Sequence, residues 1–302
     1  MKILITGASG FLGAETVARA ARLGHDVRAM IRQNSPRERL ALPASQLYVG
    51  DMTQPETFPG AVAGMEGVIH CAAVTATGAT DEELSRRVNI DGTVRLFQAA
   101  KAAGVRRWIQ ISSMSAHPAT TSAYGMTKLA ADEFLRAVAP PPAWTILRPS
   151  LIYGPGGGKG LVDKTVKLLE KLPLMPILGA GREPIRPVYV GDVAEAAIEC
   201  LEREVAIGKT YMLGGADEVS LNEFMAELAR ARGLKRPLIH IPLPLAMVLA
   251  RAFSILLKNP PITVDNVKGV REAQRVEQEP AERDLGYRPL GLREGLRRTF
   301  AG

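Results

Sequence analysis

The sequence predicts an α/β protein built on a doubly wound parallel sheet, with a smaller C-terminal lobe for substrate. Three observations predict it. Short β-rich runs alternate with longer helical patterns through the first half of the chain, as expected of strands joined by crossover helices. A glycine-rich turn, Thr6-Gly7-Ala8-Ser9-Gly10-Phe11-Leu12-Gly13, follows the first of these runs at once. After Arg148 the pattern changes, and Gly154-Pro155-Gly156-Gly157-Gly158 opens a region of shorter elements. The chain therefore divides into a sheet domain over 1–150 and a lobe over 151–302, with segments near 188–213 returning to the sheet.

Strands are expected at Lys2–Thr6, Val27–Ile31, Leu47–Val49, Val68–Cys71, Arg107–Ile111 and Trp144–Leu147. Helices fall between them at Phe11–Leu23, Asp81–Ala103 and Ala123–Ala139. The last stops before Pro140-Pro141-Pro142, which lack the amide donors a helix needs. In the lobe, Ser220-Leu221-Asn222-Glu223 reads as a capping box opening a helix to Arg232, because hydroxyl and carboxylate can each take an orphan amide. Val188–Val190 and Tyr211–Leu213 are the segments expected to re-enter the sheet.

With 302 residues, 46% of them apolar and 23% charged, the chain can bury a sizeable core, and disorder is not expected. The net charge of +7 suits an anionic cofactor, an anionic substrate or an acidic lipid surface. No Lys/Arg run is dense enough for a nucleic-acid arm, so nucleic acid is discounted. Cys71 and Cys200 have no companion at metal or disulfide spacing, which points to a cytoplasmic, metal-free protein. A first strand at Lys2 leaves no room for a cleaved signal ahead of it. The apolar stretch Leu245–Leu257 is too short to span a bilayer. It reads either as a buried helix of the lobe or as a sterol pocket or membrane-facing patch, so peripheral membrane contact stays open.

The glycine-rich turn carries the first chemistry. Gly7, Gly10 and Gly13 let the backbone turn tightly, approach a pyrophosphate and pack the following helix on the sheet. The helix start, with Phe11 and Leu12, then offers unpaired amides and a positive dipole to phosphates. Where an enzyme using NAD usually has an acid after the second strand, this chain has Arg32, which can pair with a 2′-phosphate. NADP is accordingly favoured over NAD, and Arg28 or Arg37 can share the role. Asp51, followed by Met52, closes the third strand, where its carboxylate either accepts from the adenine amine or caps a plain turn.

Tyr124 and Lys128 are four apart, so on a helix they share a face and can meet one ligand. A cation near a phenol stabilises phenolate and draws its acidity toward the working pH, making Tyr124 the general acid/base. Ser112-Ser113-Met114-Ser115 follows the fifth strand, and a serine there can hold negative charge developing on a substrate oxygen. Register selects Ser113, with Ser115 as the alternative.

Together these residues resemble the short-chain dehydrogenase/reductase superfamily, specifically its extended branch, over almost the whole chain. Further matches are His70-Cys71-Ala72-Ala73, Asn89-Ile90-Asp91-Gly92-Thr93, Leu147-Arg148-Pro149-Ser150 through Tyr153-Gly154-Pro155, Val190-Gly191-Asp192 and Asp284-Leu285-Gly286-Tyr287-Arg288-Pro289. The resemblance implies a dinucleotide-binding (Rossmann) domain whose cofactor is lined by Cys71, Ala72 and Ala73. It implies that Pro149 approaches the nicotinamide and that Ser113, Tyr124 and Lys128 form a catalytic triad, with Lys128 also bonding the nicotinamide ribose. It further implies a homodimer pairing the helices Asp81–Ala103 and Ala123–Ala139.

That branch contains sugar-nucleotide epimerases and dehydratases, dihydroflavonol-type reductases and 3β-hydroxysteroid dehydrogenases. Its sugar-nucleotide members bind diphosphate through an asparagine beyond the sixth strand and an arginine in the later lobe, where this chain has Leu151 and Ile185. Apolar groups cannot replace those hydrogen bonds. The leading expectation is thus an NADP-linked oxidoreductase interconverting a secondary alcohol and ketone on a hydrophobic, steroid-like or flavonoid-like molecule. A sugar-nucleotide epimerase or dehydratase is the second reading. The third is a non-catalytic NADP(H)-binding accessory or redox-sensing protein, because only a short loop separates Ser113 from Tyr124.

Overall fold

Alternate residues of the first strand face opposite layers of core: Ile3 and Ile5 join one buried cluster and Leu4 the other. Burial on both faces is what a parallel sheet covered by helices imposes, and it explains the unbroken apolar run of the strand. The computed structural model describes residues 1–75, 82–156, 161–256, 262–264, 267–268 and 275–301.

The strands are β1 (Lys2–Thr6), β2 (Asp26–Ile31), β3 (Leu47–Val49), β4 (Gly67–His70), β5 (Arg107–Ile111) and β6 (Ala143–Pro149). The chain then passes β7 (Ile152–Tyr153), β8 (Met175–Leu178), β9 (Pro184–Ile185) and β10 (Val188–Tyr189) before β11 (Thr210–Leu213). One parallel sheet runs in the order β11-β6-β5-β4-β1-β2-β3. Its order reverses between β1 and β4. Ligands of doubly wound sheets bind at that crevice, beyond the carboxyl ends of the strands.

Helix α1 (Phe11–Arg22) packs against α7 (Val190–Glu202) on one face of the sheet. The other face carries α2 (Phe58–Val62), α4 (Thr93–Ala102) and α5 (Ala123–Ala137), with Phe97 edge-on to Trp108 and to Phe134. The helix expected at Asp81–Ala103 is broken: α3 (Glu82–Arg86) and α4 are joined by a π-helical turn, Arg87–Gly92, while Asp81 lies outside the described residues. Helix α5 ends at Ala137, two residues earlier than expected, because Val138 is already extended.

Re-entry into the sheet holds for one of the two expected segments. β11 pairs with β6, whereas β10 pairs with β7 in a separate two-stranded sheet. The β6 edge is occupied by β11, while Val188–Tyr189 pairs with Ile152–Tyr153 just before Val190 starts α7. Two motif segments of the late chain serve as staples. Asp192 Oδ2 accepts from the Leu290 amide at 2.8 Å, and the Tyr287 hydroxyl donates to the Gly214 carbonyl at 2.8 Å.

In the lobe, β12 (Val219–Ser220) pairs with β9 and β13 (Leu238–Ile241) with β8. Helix α6 (Leu161–Lys171) packs on α8 (Leu221–Ala231), which opens with the expected reciprocal capping box of Ser220 and Glu223. The apolar stretch forms α9 (Leu243–Leu256), with Leu257 outside the described residues. One face is buried, where Ala246 and Ala250 build a small cluster with Val267. Among the described residues no helix is long and apolar enough to cross a membrane.

Candidate active site

The glycine turn folds because Gly7 and Gly13 have no room for side chains and Gly10 has little. Gly7 has φ +63°, and a Cβ there would lie 2.8 Å from Ala72 Cα; a Cβ on Gly13 would overlap the Gly7 carbonyl. Gly10 donates to Gly7 O at 2.9 Å and caps α1 through its backbone, with no side-chain cap and no acid in the first turn. The leading amides of α1, from Phe11 to Gly13, thus have no intrahelical acceptor, and the helix dipole is uncompensated. An uncapped, acid-free helix start at the sheet's switch point fits the pyrophosphate of a dinucleotide. The side chain of Leu12 is buried, so its part in that cradle is played by its backbone.

On the far side of the crevice, Cys71, Ala72 and Ala73 continue from β4, and the Ala72 amide donates to Thr6 Oγ1 at 3.2 Å. Burial pushes the Cys71 thiol up to about 12, so it is no nucleophile at neutral pH. Thr6 in turn meets His70 Nδ1 at 2.8 Å, and His70 Nε2 meets Thr93 Oγ1 at 3.0 Å. Thr93 Oγ1 donates to Asn89 O, so His70 carries its proton on Nε2 and Thr6 donates to Nδ1. Fully buried, with desolvation and the Lys128 charge acting together, His70 is held neutral and its pKa falls to about 3. His70 thus props the cleft from the core side.

The π turn places the next prop. Asn89, 1% exposed, brackets Val74 through both amide groups and donates to Thr127 Oγ1 at 3.0 Å. Thr127 then donates to Tyr124 O, so the fourth-strand wall and α5 are bonded together.

Arg32 follows β2, exposed and with no carboxylate partner among the described residues; its amide is held by Ser35 Oγ. Arg37 is exposed on the same loop. Arg28 is not available to a phosphate: its Nη1 donates to the carbonyls of Gly60, Ala61 and Ala63, because β2 directs it away from the loop. Asp51 Oδ1 closes a turn onto Thr53 N and Oγ1, the plainer of its two readings. Met52 is a core residue, 7% exposed. Sequence reasoning missed Arg39, which donates to Gly156 O at 2.6 Å and Pro155 O at 3.3 Å and ties the β2–β3 loop to the loop after β7. Arg-x-Arg spacing gave no sign of a contact with a loop 116 residues away.

Ser113 lies near enough to Tyr124 to favour its phenolate, and Ser113 Oγ accepts from the Ser115 amide at 3.1 Å. The short loop between them is tightly packed, with Gly125 lying against Thr120, Ser122 and the Ser115 carbonyl where a Cβ would clash. Ser122 caps α5 by accepting from Gly125 N at 3.0 Å. Lys128, 1% exposed, donates to the Ile111 carbonyl at 2.7 Å. Desolvation lowers its pKa to about 8, against the pull of Asp132 and Cys71.

The expected lowering of the Tyr124 pKa is reversed. Desolvation pushes the phenol up to about 12, against the bond from Ser113, with the Asp132 charge pushing the same way. Lys128 spends its ammonium on Ile111 O, so burial outweighs it. Tyr124 is therefore protonated at neutral pH, the state that can donate to a ketone oxygen.

Behind Lys128, sequence reasoning missed a buried charge cluster. Asp132, 0% exposed and one turn further along α5, accepts on Oδ2 from Ser112 Oγ (2.9 Å), Arg148 Nε (3.0 Å) and Arg148 Nη2 (2.8 Å). Ser112 adjoins Ser113 and Arg148 adjoins Pro149, which ends β6 and holds the Met114 amide at 3.2 Å. An acid at four-residue spacing after Tyr124 and Lys128 was the available signal.

The family model of the NAD dependent epimerase/dehydratase family matches residues 3–214. The chain is 30% identical to a 2-alkyl-3-oxoalkanoate reductase of Stenotrophomonas maltophilia, covering 100% of this chain and 99% of the relative. It is 27% identical to a UDP-glucose 4-epimerase of Vibrio cholerae, covering 98% and 94%. Among solved structures, gox2253 superimposes with a TM-score of 0.81 at 26% identity, covering 99% of this chain and 96% of that one.

Proposed function

The chain belongs to the NAD dependent epimerase/dehydratase family, within the extended short-chain dehydrogenase/reductase type of NAD(P)-dependent enzymes, and from that premise we propose that it reduces a ketone on a hydrophobic small molecule, with NADPH as hydride donor. The observation that carries the reading is the grouping of Tyr124 with Ser113 nearby and the buried Lys128 one turn further along α5.

The bound dinucleotide supplies the hydride. The α1 amides and the backbone of the glycine turn would hold its pyrophosphate, and Arg32 with Arg37 its 2′-phosphate. Ser113 donates to the substrate oxygen and fixes its position. Tyr124, protonated at neutral pH, delivers the proton to that oxygen as negative charge develops there. Lys128 keeps a positive charge beside the site.

The substrate class rests on the lobe. Leu151 and Ile185 are apolar and partly buried against the main core. Neighbouring Arg186 pairs with Glu218 at 3.2 Å, while its carbonyl is held by Ser150 and Gly215, so it is not poised for a diphosphate. The kinship to an oxoalkanoate reductase supports an apolar ketone. Kinship to a UDP-glucose 4-epimerase keeps the epimerase as second reading. A pairing of two chains through α4 and α5 belongs to the same proposal.

The test is oxidation of NADPH, followed by absorbance, with oxoalkanoate, keto-steroid and dihydroflavonol substrates. Net oxidation that is lost in Tyr124→Phe supports the reading. Conversion of a UDP-sugar without net NADPH consumption overturns it in favour of the epimerase.

A further inference from the structure

The loop that leads from Ser113 into Tyr124 is met by a residue from far along the chain. Lys268 Nζ donates to the Thr121 carbonyl at 3.1 Å, across a separation of 147 residues. Thr121 directly precedes Ser122, the cap of α5, and Tyr124 stands in the first turn of that helix. The contact therefore reaches the backbone that aims the phenol. A charged donor on a carbonyl is among the stronger single hydrogen bonds, and this one joins the lobe to the sheet domain beside the catalytic loop.

Lys268 brings apolar surface with it. Its neighbour Val267 is fully buried in the small cluster under α9, with Ala246 and Ala250. The Val267 amide bonds the Thr263 carbonyl at 3.3 Å, which closes a helical turn. On such a turn Val264, Val267 and Lys268 are three and four apart and share a face. Val264 packs on the same cluster but is only partly buried. The face that ends in the Lys268 contact thus carries a half-covered valine one turn away from it.

We propose that Lys268 is a positioning residue: it fixes the catalytic loop against the lobe through Thr121 and sets Val264 as an apolar wall for the body of the ketone. The proposal rests on the reading of the site as a ketone reductase and adds to it the element that selects hydrophobic substrates. The buried face of α9 is then the support on which that wall stands.

The test begins with hydrogen exchange at the Ala116, His117 and Thr120 amides, which close the turns of the loop. Lys268→Ala should exchange there about tenfold faster, as expected for one lost charge-assisted bond, and Lys268→Arg, which keeps a donor, should restore most of the protection. In kinetics, Lys268→Ala should lower kcat for a keto-steroid and for butanone alike, with recovery in Lys268→Arg. Val264→Ser should raise KM about tenfold for the keto-steroid and leave butanone unaffected. Unchanged exchange in Lys268→Ala, or no recovery in Lys268→Arg, overturns the positioning role whether or not any ketone is reduced. An unchanged keto-steroid KM in Val264→Ser overturns the wall. Absence of ketone turnover in the wild type would remove the reductase reading and the wall with it, while the exchange rates still decide whether Lys268 holds the loop.

Discussion

Replacing Asp132 by Asn keeps the shape of the side chain and removes its charge. Asp132 Oδ2 receives three hydrogen bonds, two of them from the guanidinium of Arg148, whose side chain is only 11% exposed. Breaking one partner of such a pair leaves a buried cation uncompensated, which costs about 3–5 kcal/mol. For a chain of this length that lowers the melting temperature by on the order of 10 °C. A second consequence is chemical. The Asp132 charge raises both the Lys128 and the Tyr124 pKa, so its removal lowers both. Lys128, at about 8 in the wild type, then loses its proton at lower pH. The assays are thermal melting and the pH dependence of NADPH affinity and of kcat/KM. We expect the alkaline limbs of both profiles to move to lower pH, with Asp132→Glu restoring part of the shift. A variant that melts lower but keeps the wild-type limbs would reduce Asp132 to a structural tie. An unchanged melting temperature would refute the energetic reasoning outright.

His70 should make the protein acid-sensitive. Its folded pKa, about 3, lies below the ordinary imidazole value of 6.5, so the unfolded chain binds the extra proton between those values. Stability is full above the upper value and falls by up to about 1.4 kcal/mol per pH unit below it; urea melts across pH 4–7 should show that slope reduced in His70→Asn. Gly13→Ala should abolish dinucleotide binding, read by NADPH fluorescence, because the added methyl overlaps the Gly7 carbonyl. Arg32→Ala should weaken NADPH more than NADH, by about tenfold for one lost charge-assisted bond; equal affinities in the wild type would remove the basis for NADP preference. Arg39→Ala should speed dinucleotide release in stopped flow, since it frees the Pro155–Gly156 loop.

Features that depend on neighbours along the chain were legible from residue order alone. The strand at Lys2–Thr6, the cradle of Gly7, Gly10 and Gly13, the capping box at Ser220 and the shared face of Tyr124 and Lys128 are all properties of local spacing, and the fold class follows from their alternation. Tertiary structure decided whatever depends on who arrives next in space. It gave the β6 edge to Thr210–Leu213 and left Val188–Tyr189 to pair elsewhere, because an edge accepts one strand. It spent Arg28 on three carbonyls and brought Arg39 to a loop far along the chain. It also reversed the expected shift of Tyr124, since spacing shows that a lysine is near but burial sets the cost of the phenolate, and burial is settled only when the sheet, α5 and the cluster of Asp132 and Arg148 close around it.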